Sequence, residues 1–152
     1  MTRHALLAAS AAATMTLGTA APAQAVVKAG TFAGTTSEAD PIGFRVDGKG
    51  RVLRFRFEAV ALTCSDGDTV ATPKVVTPAR VHFKVKANAF GIKARNETSG
   101  FGWDADGVFR GRGRRARGTL KIFASFNEQN QQDADGATKC ESAALTWTAK
   151  RG

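Results

Sequence analysis

Apolar and polar residues alternate along most of the chain after residue 40. Ile42, Phe44 and Val46 alternate with Gly43 and Arg45, and Asp-Gly-Lys-Gly at 47–50 then supplies the residue types of a tight hairpin turn. No segment shows the 3.6-residue period of an amphipathic helix. The pattern therefore predicts an all-β protein. The further apolar rows are Leu53, Phe55 and Phe57; Val60 and Leu62; Val81, Phe83 and Val85; Phe90, Ile92 and Ala94; Phe101, Trp103 and Ala105; Ala116, Gly118, Leu120 and Ile122; and Leu145, Trp147 and Ala149.

The connections between these rows are short or polar. After Ala59 the apolar positions shift by one residue, which predicts a bulge or a sharp bend. Residues 65–78, 96–100 and 128–136 are polar and are predicted as loops or turns. About eight strands result, and an antiparallel β-sandwich or a closed β-barrel buries one face of each.

The most basic stretch, VFRGRGRRARGTLKIF at residues 108–123, is predicted to be a hairpin. By composition it is similar to a disordered arginine-glycine segment. Its flanks nevertheless keep the two-residue alternation, and residues 112–115 lack apolar side chains and contain a glycine. We therefore expect a basic tip and a basic outer face.

The first 25 residues have the organisation of a secretory signal peptide. Arg3 precedes a short apolar stretch at 5–17, and Ala23-Gln24-Ala25 is a small-x-small cleavage site. Residues 26–152 are then expected to form a single secreted β domain, without a transmembrane segment. Loss of Arg3 lowers the count of basic side chains from 22 to 21, and 21 minus 13 acidic side chains leaves a formal charge of +8.

The two cysteines, Cys64 and Cys140, are predicted to form one disulfide. Export places them in an oxidising compartment, where an even pair in a small domain is normally bridged. The alternative is a pair of free thiols, one of them catalytic.

Several short motifs resemble those of an uncharacterised family of small, secreted, all-β actinobacterial proteins with two cysteines. They comprise AGTFAGTT at 29–36, Pro-Ile-x-Phe-x-Val at 41–46, Cys64, Gly107-x-Phe109-x-Gly111, Ala116-x-Gly118-Thr119-Leu120, and Cys140 followed by Trp147-Thr148-Ala149-Lys150-Arg151. The resemblance covers nearly all of residues 26–152. It implies a bacterial source and a shared fold, and it brings no assigned activity and no catalytic residue.

The sequence supplies little for catalysis or metal binding. His82 is the one histidine after residue 25, it lies at a polar strand position, and no serine sits in a nucleophile-elbow motif. We interpret the acidic repeats at 65–68, 104–107 and 133–136 as Asp-Gly turns, with calcium binding as the alternative. A non-enzymatic protein without cofactor or metal is therefore predicted.

Basic residues recur at the polar positions of the strands. If neighbouring strands align them, one sheet face attracts polyanions through salt-dependent electrostatics. Because the chain is exported, the expected partner is an acidic cell-envelope polymer or another extracellular polyanion, and not intracellular nucleic acid. A solvated face without a partner, a hydrophobic-ligand carrier barrel and a secreted hydrolase are the alternatives. The candidate binding residues are Arg54, Arg56, Lys84, Lys86, Arg112, Arg114, Arg115 and Arg117.

Overall fold

The structure, a computed structural model, describes residues 27–152 and is built from strands. Strand accounts for 60% of it and helix for 0%, which confirms the all-β prediction. The predicted signal peptide lies outside the described residues. The strands are β1 Gly30–Thr36, β2 Pro41–Val46, β3 Arg51–Phe57, β4 Ala61–Cys64, β5 Thr69–Ala71, β6 Val75–Val76, β7 His82–Lys84, β8 Ala89–Asn96, β9 Phe101–Arg110, β10 Arg115–Phe126, β11 Thr138–Glu141 and β12 Leu145–Arg151.

The twelve strands form one antiparallel sheet that branches at β10. The main path runs β8-β9-β10-β12-β1-β2-β3, and both β6 and β7 pair with β3. The second half of β10 pairs with β11, which continues through β4 to β5. The predicted hairpin of the basic stretch is confirmed as β9 and β10, joined by a turn at residues 111–114.

The sheet curls so that its two ends face each other across one core. β2 and β8 are five strands apart along the path, which is about 24 Å in a flat sheet at about 4.8 Å per strand. Their residues Phe44 and Phe90 nevertheless have ring centroids 5.5 Å apart. The inward rows therefore fill a common interior, in which Phe44 contacts four further rings, those of Phe32, Phe55, Phe109 and Trp147.

The barrel alternative and the predicted number of strands are both wrong. The sheet is not closed into a barrel, and the described chain has twelve strands instead of about eight. The additional strands are short or poor in large apolar residues, so they lack a readable alternation. Two of them, β5 and β6, are three and two residues long and lie within the segment predicted to be a polar loop.

A bulge in β3 changes the predicted inward row. Arg45 pairs with Leu53 and Gly43 pairs with Arg56, so two residues of β3 oppose the single residue Phe44. Arg54 takes a left-handed φ of 49° at this point. As a result Val52 is buried in place of the predicted Leu53, which is half-buried. The bend predicted at Ala59 is confirmed, with a φ of 61° between β3 and β4.

The predicted disulfide is confirmed. Cys64 and Cys140 are register partners on β4 and β11, bridged across a sequence separation of 76 residues. Within residues 27–152, no helix has the length and apolar character needed to cross a bilayer.

Candidate polyanion-binding surface

The β9–β10 hairpin places its arginines at one end of the sheet. Gly111, Arg112 and Gly113 have φ values of 58°, 57° and 74°, which form the turn. Arg112 and Arg114 are exposed in this turn, and Arg115 and Arg117 are exposed on β10 while Ala116 between them is buried. The hairpin thus brings four of the predicted binding residues together.

Cations of three neighbouring strands are aligned by the strand register and form a row across the sheet. Arg115 of β10 pairs directly with Arg110 of β9 and with Lys150 of β12. Facing side chains of paired strands are about 5 Å apart at Cβ. All three are exposed, so three cations lie side by side on adjacent strands.

The same row reaches Arg56 on β3. Lys150 pairs with Ala33, Ala33 with Gly43, and Gly43 with Arg56. A Cβ built on Gly43 would lie 2.9 Å from Arg56 Nε, so the guanidinium of Arg56 lies over this glycine. Arg56 is nevertheless four strand spacings from Arg115, about 19 Å along the sheet.

Lys86 lies near the β9–β10 hairpin but belongs to the turn that precedes β8. It forms an isolated bridge with Ala89, and Asn88 O in the same turn accepts from Phe109 N at 2.7 Å, next to Arg110. We use the name basic end for the exposed cations Lys86, Arg110, Arg112, Arg114, Arg115, Arg117 and Lys150.

Three predicted residues lie away from the basic end: Arg56, described above, and two others. Arg54 is exposed in the β3 bulge, and Lys84 is on β7, where it pairs with Arg51. Conversely, Arg110 and Lys150 are central to the row and are absent from the sequence-based set of candidates. The polar parity of both positions is readable in the sequence, but their alignment depends on which strands pair.

The cations of the basic end have no acidic partners within 4 Å in the described part of the chain. The four ion pairs found there are Asp47–Arg51, Glu58–Lys74, Asp104–Arg95 and Glu141–Lys121. Asp106, further along β9, accepts from Thr119 N at 3.2 Å and Thr119 Oγ1 at 2.6 Å. The positive charge of the basic end is therefore not neutralised within this region.

Arg95, unlike the arginines of the basic end, has an acidic partner. It forms a two-pronged contact with Asp104, with N–O distances of 2.8 and 2.9 Å, and its guanidinium carbon lies 4.1 Å from the centre of the Phe123 ring. Hydrogen bonds from Arg95 are the main cause that holds the pKa of Asp104 below its usual value. The guanidinium of Arg95 is thus held by a carboxylate and an aromatic ring, whereas the arginines of the basic end have no acidic partner within the described chain.

Acidic side chains gather at the opposite end of β10. The loops there contact each other: Lys139 N donates to Ser65 Oγ at 3.2 Å, and Ala134 N donates to Thr98 O at 3.3 Å. The exposed or half-exposed carboxylates of these loops are Asp66, Asp68, Glu97, Glu128, Asp133 and Asp135. The molecule therefore has a basic end and an acidic end, joined by the twelve-residue strand β10.

The residues considered for catalysis and metal binding are dispersed. His82 is exposed on β7, with Nδ1 3.4 Å from Arg80 O. In the region from residue 27 onwards, no three His, Cys, Asp or Glu side chains are arranged to hold a metal ion. Segments 65–68 and 133–136 are turns as predicted, but 104–107 lies inside β9, so the turn interpretation is wrong there.

Comparison with models of known protein families, with curated proteins and with solved structures finds no match to this chain.

Proposed function

We propose that this chain is exported and that residues 26–152 are a non-enzymatic β domain that binds an acidic polymer of the cell envelope, or another extracellular polyanion, through the basic end. The observation that carries the proposal is the unpaired row Arg110–Arg115–Lys150 on three adjacent strands. Export is supported by the N-terminal motif and by the disulfide, since bridged cysteines persist in oxidising compartments.

The row is not explained by fold stability. Like charges directly opposite on paired strands destabilise a sheet. Arg115 faces one cation on each side, so the sheet would be more stable with a neutral residue at this position. A polyanion bound across the three strands would relieve this repulsion, and the relief would favour binding.

Arginine chemistry favours phosphate-bearing polymers among the polyanions. A guanidinium offers planar paired donors to phosphate oxygens, and five of the seven cations at the basic end are arginines. The turn at residues 111–114 adds two of these arginines beyond the last strand pair. The surface is thus suited to a flexible chain of phosphodiesters.

The interior offers less support to the carrier alternative. The sheet is not closed, and the rings of its core pack against each other at centroid separations from 4.8 to 6.3 Å. The rings of Phe44, Phe55 and Trp147 occupy the volume in which a barrel would hold its ligand.

Retention on immobilised teichoic acid tests the proposal. The triple variant Arg110→Gln, Arg115→Gln, Lys150→Gln should lose affinity about tenfold or more at moderate salt, because it removes three phosphate contacts. A matched control removes three exposed cations elsewhere, Lys74→Gln, Arg80→Gln and Lys93→Gln, and should lose much less.

The row variant should also unfold at equal or higher denaturant concentration, because it relieves like-charge repulsion. Equal losses of affinity in both variants would show that net charge alone drives retention. Absence of retention of the unmodified domain on any acidic wall polymer or on heparin would overturn the proposed function.

A further inference from the structure

A half-enclosed cleft lies at the opposite end of β10 from the basic end. It has a volume of about 390 Å³ and lies between the β4–β5 hairpin, the first residue of β9, the last residue of β10 and the loop after β10. The apolar side chains that line it include Leu62, Val70, Phe101 and Phe126. This volume is within the range of small-molecule sites.

The two phenylalanines of the cleft are an uncovered extension of the core. Phe101 continues the inward row of Trp103 and Ala105, and Phe126 continues the inward row of β10. Both rings pack against the core cluster, yet both remain half-exposed. A ligand with an apolar body would therefore remove aromatic surface from water when it fills the cleft.

The charges that line the cleft are all negative, in a protein with a net charge of +9. Asp66 and Asp68 are exposed at the rim, and no lysine, arginine or histidine lines the cleft. Asp66 Oδ1 accepts from Asp68 N at 3.1 Å, which fixes the turn. Neither carboxylate forms an ion pair within 4 Å among residues 27–152.

We propose that this cleft binds a small organic cation with an apolar body, of the alkylammonium or arylammonium class. The aromatic rings of Phe101 and Phe126 line the cleft and can attract a cation through their quadrupoles, and Asp66 and Asp68 add opposite charge at the rim. An anionic ligand of the same shape meets like charge, and a neutral ligand gains only the apolar contact. This site does not depend on polyanion binding at the basic end.

Titration of the isotope-labelled domain with phenethylammonium, followed by NMR, tests the site. Saturable shifts are expected at Val70, Phe101 and Phe126, and none at Arg115. The neutral isostere 2-phenylethanol and the anion 3-phenylpropionate should bind at least about fivefold more weakly, the size expected from two exposed charge contacts. Butyltrimethylammonium, a second cation, should shift the same residues.

Two variants, each of which removes two negative charges, test whether phenethylammonium binds in the cleft. Asp66→Asn with Asp68→Asn should weaken phenethylammonium about fivefold and retain the turn, because asparagine keeps the Oδ1 acceptor. The control Glu128→Gln with Asp135→Asn changes two carboxylates of the neighbouring loop that do not line the cleft, and should bind as the unmodified domain does. Equal binding of the neutral isostere, equal effects of the two variants, or no saturable shift with either cation would overturn the proposal.

Discussion

At the scale of single residues, close packing around Trp147 explains why glycine occurs at position 107 in β9 and at position 118 in β10. Gly107 and Gly118 are register partners, and Gly118 also pairs with Trp147. A Cβ would lie 2.8 Å from Trp147 Cη2 at Gly107 and 2.7 Å from Cζ2 at Gly118. The indole ring thus lies across both glycines, and its Nε1 donates to Thr119 O at 2.9 Å.

We expect Gly107→Ala and Gly118→Ala each to lower the free energy of unfolding by about 1–3 kcal/mol or more, because the added methyl group overpacks a filled interior. At Gly107 it would meet the Phe90 ring as well as Trp147, and at Gly118 it would meet the backbone oxygen of Asp106 as well as Trp147. Gly91→Ala is the control, since a Cβ at Gly91 meets nothing within 4 Å and this glycine has no positive φ. Chemical denaturation measures all three variants. A loss at Gly91 equal to that at Gly118 would contradict the close packing around Gly107 and Gly118.

The Arg95–Asp104 contact predicts a pH dependence of stability. The pKa of Asp104 is lower in the folded protein than in the unfolded chain, chiefly through hydrogen bonds from Arg95. The folded state therefore gains stability above the unfolded pKa of about 3.9, and loses it as the pH falls through the lower folded value. Because both side chains are more than 40% exposed, the contribution should not exceed about 1 kcal/mol.

Asp104→Asn should accordingly lower stability at pH 7 and have little effect near pH 2. Urea denaturation at the two pH values measures the difference. Glu97→Gln serves as the control, because Glu97 has no ion pair within 4 Å in the described region. An equal loss for Asp104→Asn at both pH values would show that the carboxylate charge does not contribute.

At the scale of strands, alternation predicted most of the elements and missed β1, β5, β6 and β11. The rows of β8, β9, β10 and β12 are inward as predicted, because seven to twelve residues give a clear period. In β1 the single large apolar residue is Phe32, so its pattern is not distinctive. The bulge at Arg54 depends on the register with β2, which local sequence does not encode.

The disulfide attaches the β4–β5 hairpin to the rest of the sheet. β4 and β11 share two register pairs, Cys64–Cys140 and Thr63–Glu141, and the adjacent turn adds a bond from Ser65 N to Lys139 O at 2.8 Å. Cys64→Ala with Cys140→Ala should therefore lower global stability by about 4 kcal/mol, since the bridge closes a long loop.

The same variant should raise hydrogen exchange in β4 and β5 more than in β9 and β10. Measurement under native conditions by mass spectrometry separates this local opening from global unfolding. If exchange rises equally in the two hairpins, the bridge acts only on the unfolded chain and does not hold β4–β5 in place.

At the scale of the whole molecule, the candidate surface was predicted in part. Local sequence identified the basic hairpin, because its four arginines lie within six residues, in the turn and at the start of one strand. It did not identify the row, because Arg110 and Lys150 are 40 residues apart and meet through Arg115 on a third strand. The clustering of carboxylates at the acidic end was likewise not predictable from the sequence, since they come from three separate loops.

The salt dependence of binding tests polyanion recognition by the basic end most directly. The logarithm of the association constant for a single-stranded phosphodiester polymer is measured against the logarithm of salt concentration. Each phosphate contact contributes about 0.7 to the slope, so Arg110→Gln, Arg115→Gln, Lys150→Gln should reduce the slope by about 2. The control Lys74→Gln, Arg80→Gln, Lys93→Gln should keep the original slope. An unchanged slope in the row variant would contradict binding through the basic end.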